Sequence, residues 1–233
     1  MRGLAVFLVV ALALCLSPAS EGAERDRIVY RRVNIEEKIV AITFDDGPHP
    51  RYTAEILDVL AEYGVKATFF VIGKNIEQYG SLVCRAAEEG HEIGNHTYTH
   101  AALTALDRAA LEREISDSEG LIEECTGRRP VVFRPPGGKS SPLVEAIVTQ
   151  NGGKIILWDV DTRDWSGRAS TEIVETVIQD TVPGSIILFH DYAVGKSTTV
   201  EAIKEILPRL CAAGYRFVTV TELLTYAAST GGE

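Results

Sequence analysis

The sequence has no excess of positive charge and lacks the glycine patterns of nucleotide sites. Lys and Arg number 23 against 33 Asp and Glu among 233 residues, so the formal net charge is −10. Nucleic acids and anionic membranes require a basic surface, and we expect neither as a partner. No Gly-x-Gly-x-x-Gly occurs, and residues 195–198 resemble a phosphate-binding loop but have His190 where its first glycine belongs. The sequence therefore gives no support to a dinucleotide or P-loop site.

Cysteines are few and widely spaced. One of the four lies in the N-terminal apolar run, and the others are Cys84, Cys125 and Cys211. Their spacing matches no zinc motif, and an odd number leaves at least one free thiol if a pair forms. We interpret the three as buried small hydrophobic residues.

The only long apolar run lies at the N-terminus. Arg2 supplies a positive start, residues 4–16 an apolar core, and residues 17–19 a small-residue cleavage site. This pattern is typical of a secretory signal and is too short for an ordinary membrane span, although it would act as an anchor if uncleaved. We assign residues 1–20 to a signal peptide and residues 21–37 to a polar lead-in. We expect a secreted or cell-wall-associated protein whose only link to a membrane is an uncleaved signal.

Strand-like and helix-like segments alternate from residue 38 nearly to the end of the chain. The predicted strands are 38–44, 67–71, 92–95, 131–134, 154–157, 185–189 and 216–220. The predicted helices are 52–63, 76–89, 107–125, 142–150, 171–181 and 200–213. This alternation predicts a parallel sheet, either doubly wound or closed into a barrel. Polar clusters follow several strands rather than one switch point, which favours a barrel, complete or irregular.

Two adjacent aspartates, Asp45 and Asp46, end the first predicted strand in the sequence Thr-Phe-Asp-Asp-Gly-Pro. Like charges at the end of an apolar element are costly unless a cation, a metal or a donor offsets them. A solvated acidic turn is the alternative for this segment taken alone.

A second cluster holds His96 and His100. Imidazoles four residues apart share one face if the segment forms a helical turn, a common spacing for metal ligands, although such a pair is also often incidental. One of the two aspartates would complete a His₂Asp set with room for water, which is typical of catalytic sites.

Three further strand ends carry polar residues. Arg134 would pair with either aspartate and keep it ionised; a surface arginine is the alternative. Asp161 and Asp164 would supply an orienting carboxylate, or belong to a solvated acidic turn. His190 ends the strand 185–189 and is either functional or a core histidine.

Taken in order, five motifs resemble the polysaccharide deacetylase family, carbohydrate esterase family four, whose founding type is the NodB chitooligosaccharide deacetylase. They are Thr-Phe-Asp-Asp-Gly-Pro, His-Thr-x-x-His, Arg-Pro-Pro-x-Gly, Asp-x-x-Asp-Trp and Leu-Phe-His-Asp. The resemblance implies a single α/β domain, a distorted (β/α)7 TIM-like barrel. We assign residues 38–226 to this catalytic domain and residues 227–233 to a C-terminal tail.

The resemblance also implies roles for individual residues. The implied metal ligands are Asp46, His96 and His100. The implied catalytic residues are the base Asp45, the acid His190, and the residues that tune them, Arg134 and Asp164. The implied substrate-binding residues are Gly137, Trp165 and Leu188. The family usually carries an aromatic residue where Gly137 stands, so its backbone N–H is kept while one wall of the groove is missing.

The implied reaction removes N-acetyl groups from N-acetylglucosamine-type polysaccharide, either peptidoglycan or chitin-like. One alternative is an acetylxylan O-deacetylase, and another is a catalytically silent wall-binding module. The expected cofactor is a divalent metal, with zinc favoured and cobalt or another ion accepted by the same ligands. No partner protein is expected.

Overall fold

One parallel sheet organises the molecule. The computed structural model describes residues 28–193 and 195–229. The strands in this part of the chain are β1 (Val29–Tyr30), β2 (Ile39–Asp45), β3 (Thr68–Val71), β4 (Glu92–Asn95), β5 (Val132–Phe133), β6 (Lys154–Ile156), β7 (Val160–Asp161), β8 (Ile186–His190) and β9 (Arg216–Phe217). Their order in the sheet is β1-β6-β5-β4-β3-β2-β8-β7, with β9 paired to the start of β2. Since β1 and β7 end this order unpaired with each other among the described residues, the barrel is open.

Helices follow the strands and cover the sheet. They are α1 (Tyr52–Glu62), α2 (Gly73–Glu88), α3 (Arg108–Thr126), α4 (Pro142–Gln150), α5 (Ser170–Asp180), α6 (Thr199–Ala212) and α7 (Val220–Ser229). Ser141 caps α4, because its hydroxyl accepts a hydrogen bond from the Val144 amide at 3.3 Å. Within the described ranges, no helix combines the length and apolar character needed to cross a membrane.

The two faces of β2 have different neighbours, because successive side chains of a strand point to opposite sides. Ile42 and Phe44 belong to the large core that includes residues of α1, α2, α5 and α6. Ile39 and Ala41 belong to a second core, which α7 completes from the other side. The alternation places Asp45 on the same side as Ile39 and Ala41. This side is therefore apolar where β2 begins and acidic where it ends.

The predicted parallel α/β barrel is confirmed, but several boundaries differ. The short strands β1 and β7 were not predicted, and the predicted strand 216–220 contains only two strand residues before α7 begins. Distant side chains start this helix: the amides of Val220 and Thr221 donate to Thr68 Oγ1 and Glu92 Oε2 at 2.9 and 3.0 Å. Local sequence cannot reveal caps that come from other strands.

Part of the predicted polar lead-in, residues 21–37, belongs to the fold. β1 pairs with β6, and the side chains of Val33 and Ile35 are buried. Short apolar stretches between charged residues thus extend the folded part to before residue 38. The predicted signal peptide, residues 21–27 and residues 230–233 lie outside the described residues, so the domain boundaries stay predictions.

Candidate active site

The predicted polar residues converge at the carboxyl end of the sheet. Asp45 and His190 are the last residues of β2 and β8, which pair directly. His96 and Arg134 immediately follow β4 and β5, which also pair. Because the strands are parallel, their carboxyl ends meet at one edge, as in other barrel enzymes.

Asp45 is held by a buried guanidinium. The fully buried Arg134 donates from Nη1 to Asp45 Oδ1 at 2.7 Å and to Thr43 Oγ1 at 2.8 Å. Its Nε and Nη2 donate to the carbonyl oxygens of Ile156 and Leu157 at 3.1 and 3.2 Å. A charge buried this deeply is tolerated only when it is paired and hydrogen-bonded. Arg134 therefore fixes the direction of the Asp45 carboxylate.

Asp46 turns away from its neighbour because its backbone is left-handed, with φ of 75°. Its Oδ1 lies 3.4 Å from Nε2 of His96 and 3.4 Å from Nε2 of His100. This oxygen is buried and has no hydrogen-bond partner within residues 28–193 and 195–229. Burying an acceptor in this way is costly, and such an atom calls for an unseen partner.

A loop, and not a helical turn, brings the two histidines together. Thr97 and His100 have φ of 71° and 60°, which no α-helix contains. Asn95 shapes this loop, because its side chain accepts from the Thr97 amide at 2.8 Å and donates to the Ile115 carbonyl at 2.9 Å.

Asp46, His96 and His100 fit a divalent metal ion. Each offers one ligand atom, and these atoms lie within 4.8 Å of one another. His96 Nδ1 lies 2.7 Å from the Arg134 carbonyl oxygen, so it donates there and leaves Nε2 free as a ligand. Burial alone would raise the pKa of Asp46, but His96 and, more weakly, His190 and His100 lower it. Burial and the nearby His96 lower the pKa of His100 and favour its neutral, ligating form.

His190 forms the second ionisable pair of the site. Its Nδ1 lies 2.7 Å from Asp164 Oδ1, and its amide donates to Asp164 Oδ2 at 2.8 Å. Burial would lower the pKa of His190, but the hydrogen bond and charge of Asp164, with the charges of Asp45 and Asp46, raise it to about 9. At neutral pH this imidazole is a proton donor, and Nε2 is its free nitrogen.

The remaining predicted residues have different surroundings. Trp165 follows Asp164 and is 66% exposed, as a sugar-stacking ring would have to be. Leu188 is buried in β8, where its carbonyl oxygen accepts from Thr162 Oγ1 at 2.7 Å. Gly137 lies in a turn with φ of 61°, and nothing stands within 4 Å of the place that a Cβ would occupy. The half-buried Asp161 orders the loop before Asp164 by accepting from the Arg163 amide at 3.1 Å.

Sequence reasoning missed a buried carboxyl group that lies beneath the turn formed by Asp46 and Gly47. Asp191 is 1% exposed; its Oδ2 accepts from Thr53 Oγ1 at 2.5 Å, while Oδ1 has no hydrogen-bond partner among the residues that the structure describes. Burial, followed by the charges of Asp46 and Asp45, raises the pKa of Asp191 to about 7. The only sequence signal was its position next to His190.

Comparison with known proteins agrees with this geometry. The family model for polysaccharide deacetylase matches residues 32–156. A peptidoglycan-N-acetylglucosamine deacetylase of Bacillus cereus is 43% identical over 192 residues, covering 82% of this chain and 90% of that protein. The chain belongs to the polysaccharide deacetylase family. A chitooligosaccharide deacetylase of Rhizobium leguminosarum bv. trifolii is 36% identical, covering 85% of this chain and 92% of that protein. The predictions of this family and of a hydrolytic enzyme are thereby confirmed.

Solved structures of this family have the same fold. The Bc1960 peptidoglycan N-acetylglucosamine deacetylase superposes with a TM-score of 0.83 at 35% identity, covering 87% of this chain and 95% of that one. A family 4 acetyl xylan esterase from Clostridium thermocellum, in complex with a cobalt ion, gives 0.75 at 35% identity, covering 81% and 91%. A CE4 family pseudoenzyme from Bacillus anthracis gives 0.79 at 29% identity, covering 90% and 70%. These neighbours are an N-acetylglucosamine deacetylase, an acetyl xylan esterase and a pseudoenzyme, and each corresponds to one of the three functions that the sequence left open.

Proposed function

We propose that this chain is an exported, metal-dependent deacetylase that removes N-acetyl groups from N-acetylglucosamine units of peptidoglycan or a chitin-like glycan. The named activities of the Bacillus cereus and Rhizobium relatives support the bond and the sugar class. Export rests on the N-terminal pattern of residues 1–20, and on the need of a wall-directed enzyme to reach its polymer outside the cell.

One observation carries the proposal: two ion pairs, one suited to act as a general base and the other as a general acid, lie beside the same three-ligand site. Asp45 is ion-paired with Arg134 at 2.7 Å, and His190 is paired with Asp164 at 2.7 Å. Asp45 Oδ2 lies 3.8 Å from Nε2 of His96. Amide hydrolysis needs a base for the attacking water and a separate acid for the departing nitrogen, since an amine leaves poorly as an anion.

Asp46, His96 and His100 would hold the metal, for which zinc is our choice, with cobalt the main alternative. When bound, such an ion polarises the acetyl carbonyl oxygen and makes a nearby water more acidic. Two imidazoles and one carboxylate leave positions open for water and substrate, as catalytic rather than structural sites do.

The chain's own residues then manage the protons. Asp45 Oδ2 takes the proton of the attacking water, while Arg134 keeps the carboxylate in place. His190 donates the proton of Nε2 to the sugar nitrogen, because its Nδ1 is engaged by Asp164. The Gly137 N–H is suited to hold the oxyanion of the tetrahedral intermediate. Trp165 would stack on a sugar ring, and Leu188 would line the acetyl pocket.

Two alternatives compete with this assignment. The similarity to an acetyl xylan esterase keeps O-deacetylation open, since an ester needs the same attacking water but a weaker acid. The similarity to a pseudoenzyme keeps a silent binding module open. The intact Asp45–Arg134 and His190–Asp164 pairs argue against silence, because a binding module has no use for a matched base and acid.

A substrate panel with two variants tests the proposal. Acetate release is measured on peptidoglycan, acetylated chitooligosaccharides and acetylxylan, with bound metal quantified by elemental analysis. We expect release from the first two, a loss of roughly 10²- to 10⁴-fold in Asp45→Asn with metal retained, and metal loss in His96→Ala. Release from acetylxylan alone would favour the esterase. Metal-loaded protein that releases no acetate from any of the three substrates would refute the proposal that this chain is a deacetylase. Equal metal loss in both variants would reassign the base.

A further inference from the structure

Helices α2 and α3 pack against each other on the outside of the sheet, and each carries a cysteine. Cys84 and Cys125 are both half-buried. The Cys125 thiol donates to the Gly80 carbonyl oxygen, with an S···O distance of 3.6 Å. Gly80 precedes Cys84 by four residues, so the two lie on the same face of α2. Cys125 therefore rests on the turn of α2 that ends at Cys84.

The two thiols are close enough to interact electrostatically. Burial, followed by the hydrogen bond and charge of Cys84, raises the pKa of the Cys125 thiol to about 12. Cys211 differs from both: it is exposed on α6, so the expectation of a buried hydrophobic residue is wrong there. The sequence did not indicate which two of these three cysteines could pair, and the structure places Cys84 and Cys125 together.

We propose that Cys84 and Cys125 are a covalent modification site, forming an intrachain disulfide when the folding chain meets a disulfide oxidant. This goes beyond the deacetylase reaction and uses none of its residues. Half-burial leaves the pair within reach of a small oxidant, whereas fully buried thiols are inert.

The chemistry is a double thiol–disulfide exchange. The Cys84 thiolate attacks a sulfur of the oxidant, breaks its S–S bond and forms a mixed disulfide, releasing one thiol. Cys125 then gives up its proton, attacks the Cys84 sulfur and releases the second thiol. The two cysteines lose two electrons and two protons, and the oxidant is reduced to two thiols. The high pKa of Cys125 makes this second step slow in the folded protein, so pairing should occur mainly during folding.

The cross-link would close a loop that contains part of the active site. The chain between Cys84 and Cys125 includes β4 and the loop that carries His96 and His100. A disulfide restricts the unfolded chain by closing such a loop, here of roughly 40 residues. For a protein of this size we expect the oxidised form to melt roughly 5–10 °C above the reduced form.

Refolding in a glutathione buffer tests the inference. The full chain is reduced, unfolded and refolded with oxidised and reduced glutathione, and free thiols are then blocked with N-ethylmaleimide. We expect two of the four cysteines to escape alkylation, and a non-reducing digest to yield a peptide that joins Cys84 to Cys125. The oxidised protein should melt higher than the same sample treated with dithiothreitol.

Cys211→Ser and Cys84→Ser are matched controls. Cys211→Ser should still form the linked peptide, whereas Cys84→Ser should lose it and keep the melting temperature of the reduced wild type. Full alkylation after refolding, or a linked peptide that contains Cys211, would overturn the assignment. The digest identifies the linkage even if Cys84→Ser does not fold. Acetate release is recorded separately, so failure of the disulfide and failure of the deacetylase are distinguishable.

Discussion

The contact between His190 and Asp164 extends the pH range over which the His190 imidazole holds its proton. Asp164 uses both carboxylate oxygens: Oδ1 faces His190 Nδ1, and Oδ2 accepts from the His190 amide and from Thr199 Oγ1 at 2.7 Å. Nothing near Asp164 in the sequence indicates Thr199, which starts α6. The Trp165 amide also donates to Oδ1 at 3.0 Å, so four hydrogen bonds fix the carboxylate beside the His190 imidazole.

Replacing Asp164 by Asn should move the alkaline limit of activity to lower pH. The pKa of His190 is raised to about 9 from its ordinary 6.5, so the wild-type acid is protonated at neutral pH and is lost as the pH rises through 9. Asn removes the charge that stabilises the imidazolium, so the loss begins at lower pH. The pH profile of kcat/KM measures the shift.

Asp161→Asn is the control for this change, because Asp161 lies on the same loop but its side chain is 38% exposed and contacts Arg163. Its profile should match the wild type. If Asp164→Asn lowers activity equally at every pH, Asp164 holds the loop without tuning the acid.

At the scale of elements, the turn after β2 depends on a close contact with the end of β8. The Asp191 amide donates to the Asp45 carbonyl oxygen at 3.1 Å, and the Asp191 carboxyl group packs against the bare Cα of Gly47. A Cβ at Gly47 would overlap that carboxyl group. The turn therefore requires glycine because a side chain would not fit. The backbone conformation is not the reason, since the φ of Gly47 is not in the left-handed range.

Gly47→Ala should weaken both the fold and the metal site. Overpacking of this kind costs about 1–3 kcal/mol, and displacement of the turn that carries Asp46 should lower metal affinity roughly 10- to 100-fold. Thermal melts and metal titration measure the two effects. Gly120→Ala is the matched control: a Cβ there meets nothing within 4 Å, so this change in α3 should stabilise by about 0.5–1 kcal/mol. Unchanged metal affinity in Gly47→Ala would show that the turn adapts.

The elements also show how far sequence reasoning could reach. The alternation of strand-like and helix-like segments indicated the main strands, and the motifs at their ends identified Asp45, His96 and Arg134 as neighbours. What stayed hidden depends on contacts between distant segments, such as the caps of α7 or Thr53 on Asp191. The spacing of His96 and His100 indicated a ligand pair but not the loop that forms it, because residue spacing carries no information on the left-handed φ values that bring the rings together.

At the scale of the whole molecule, buried ionisable groups make folding depend on pH. Asp191 and His190 are among the groups that bind protons more tightly in the folded chain than in the unfolded one. The pKa of Asp191 is raised from 3.8 to about 7, and that of His190 from 6.5 to about 9. Stability gained from each group is complete below its unfolded pKa and is lost as the pH rises through its folded pKa. Both therefore lower stability as the pH rises, whereas His91 raises it between pH 4 and pH 6.5, because burial lowers the pKa of His91 from 6.5 to about 4.

The contributions of Asp191 and His91 oppose each other between pH 5 and pH 6.5, so the melting temperature of chelator-treated protein should change little there. It should fall from pH 6.5 to pH 9, because the native state holds extra protons at Asp191 up to about pH 7 and at His190 up to about pH 9. The loss from Asp191 is on the order of a few kcal/mol, or roughly 5–10 °C for a domain of this size. Asp191→Asn keeps an oxygen to accept from Thr53 but cannot titrate, so its melting temperature should rise from pH 5 to 6.5, where His91 is unopposed, and decline above as His190 loses its proton. In His190→Gln the decline above pH 7 should disappear. Parallel melting curves for Asp191→Asn and the wild type would mean that Asp191 stays charged in the fold, and a polar partner for its Oδ1 would then have to be sought.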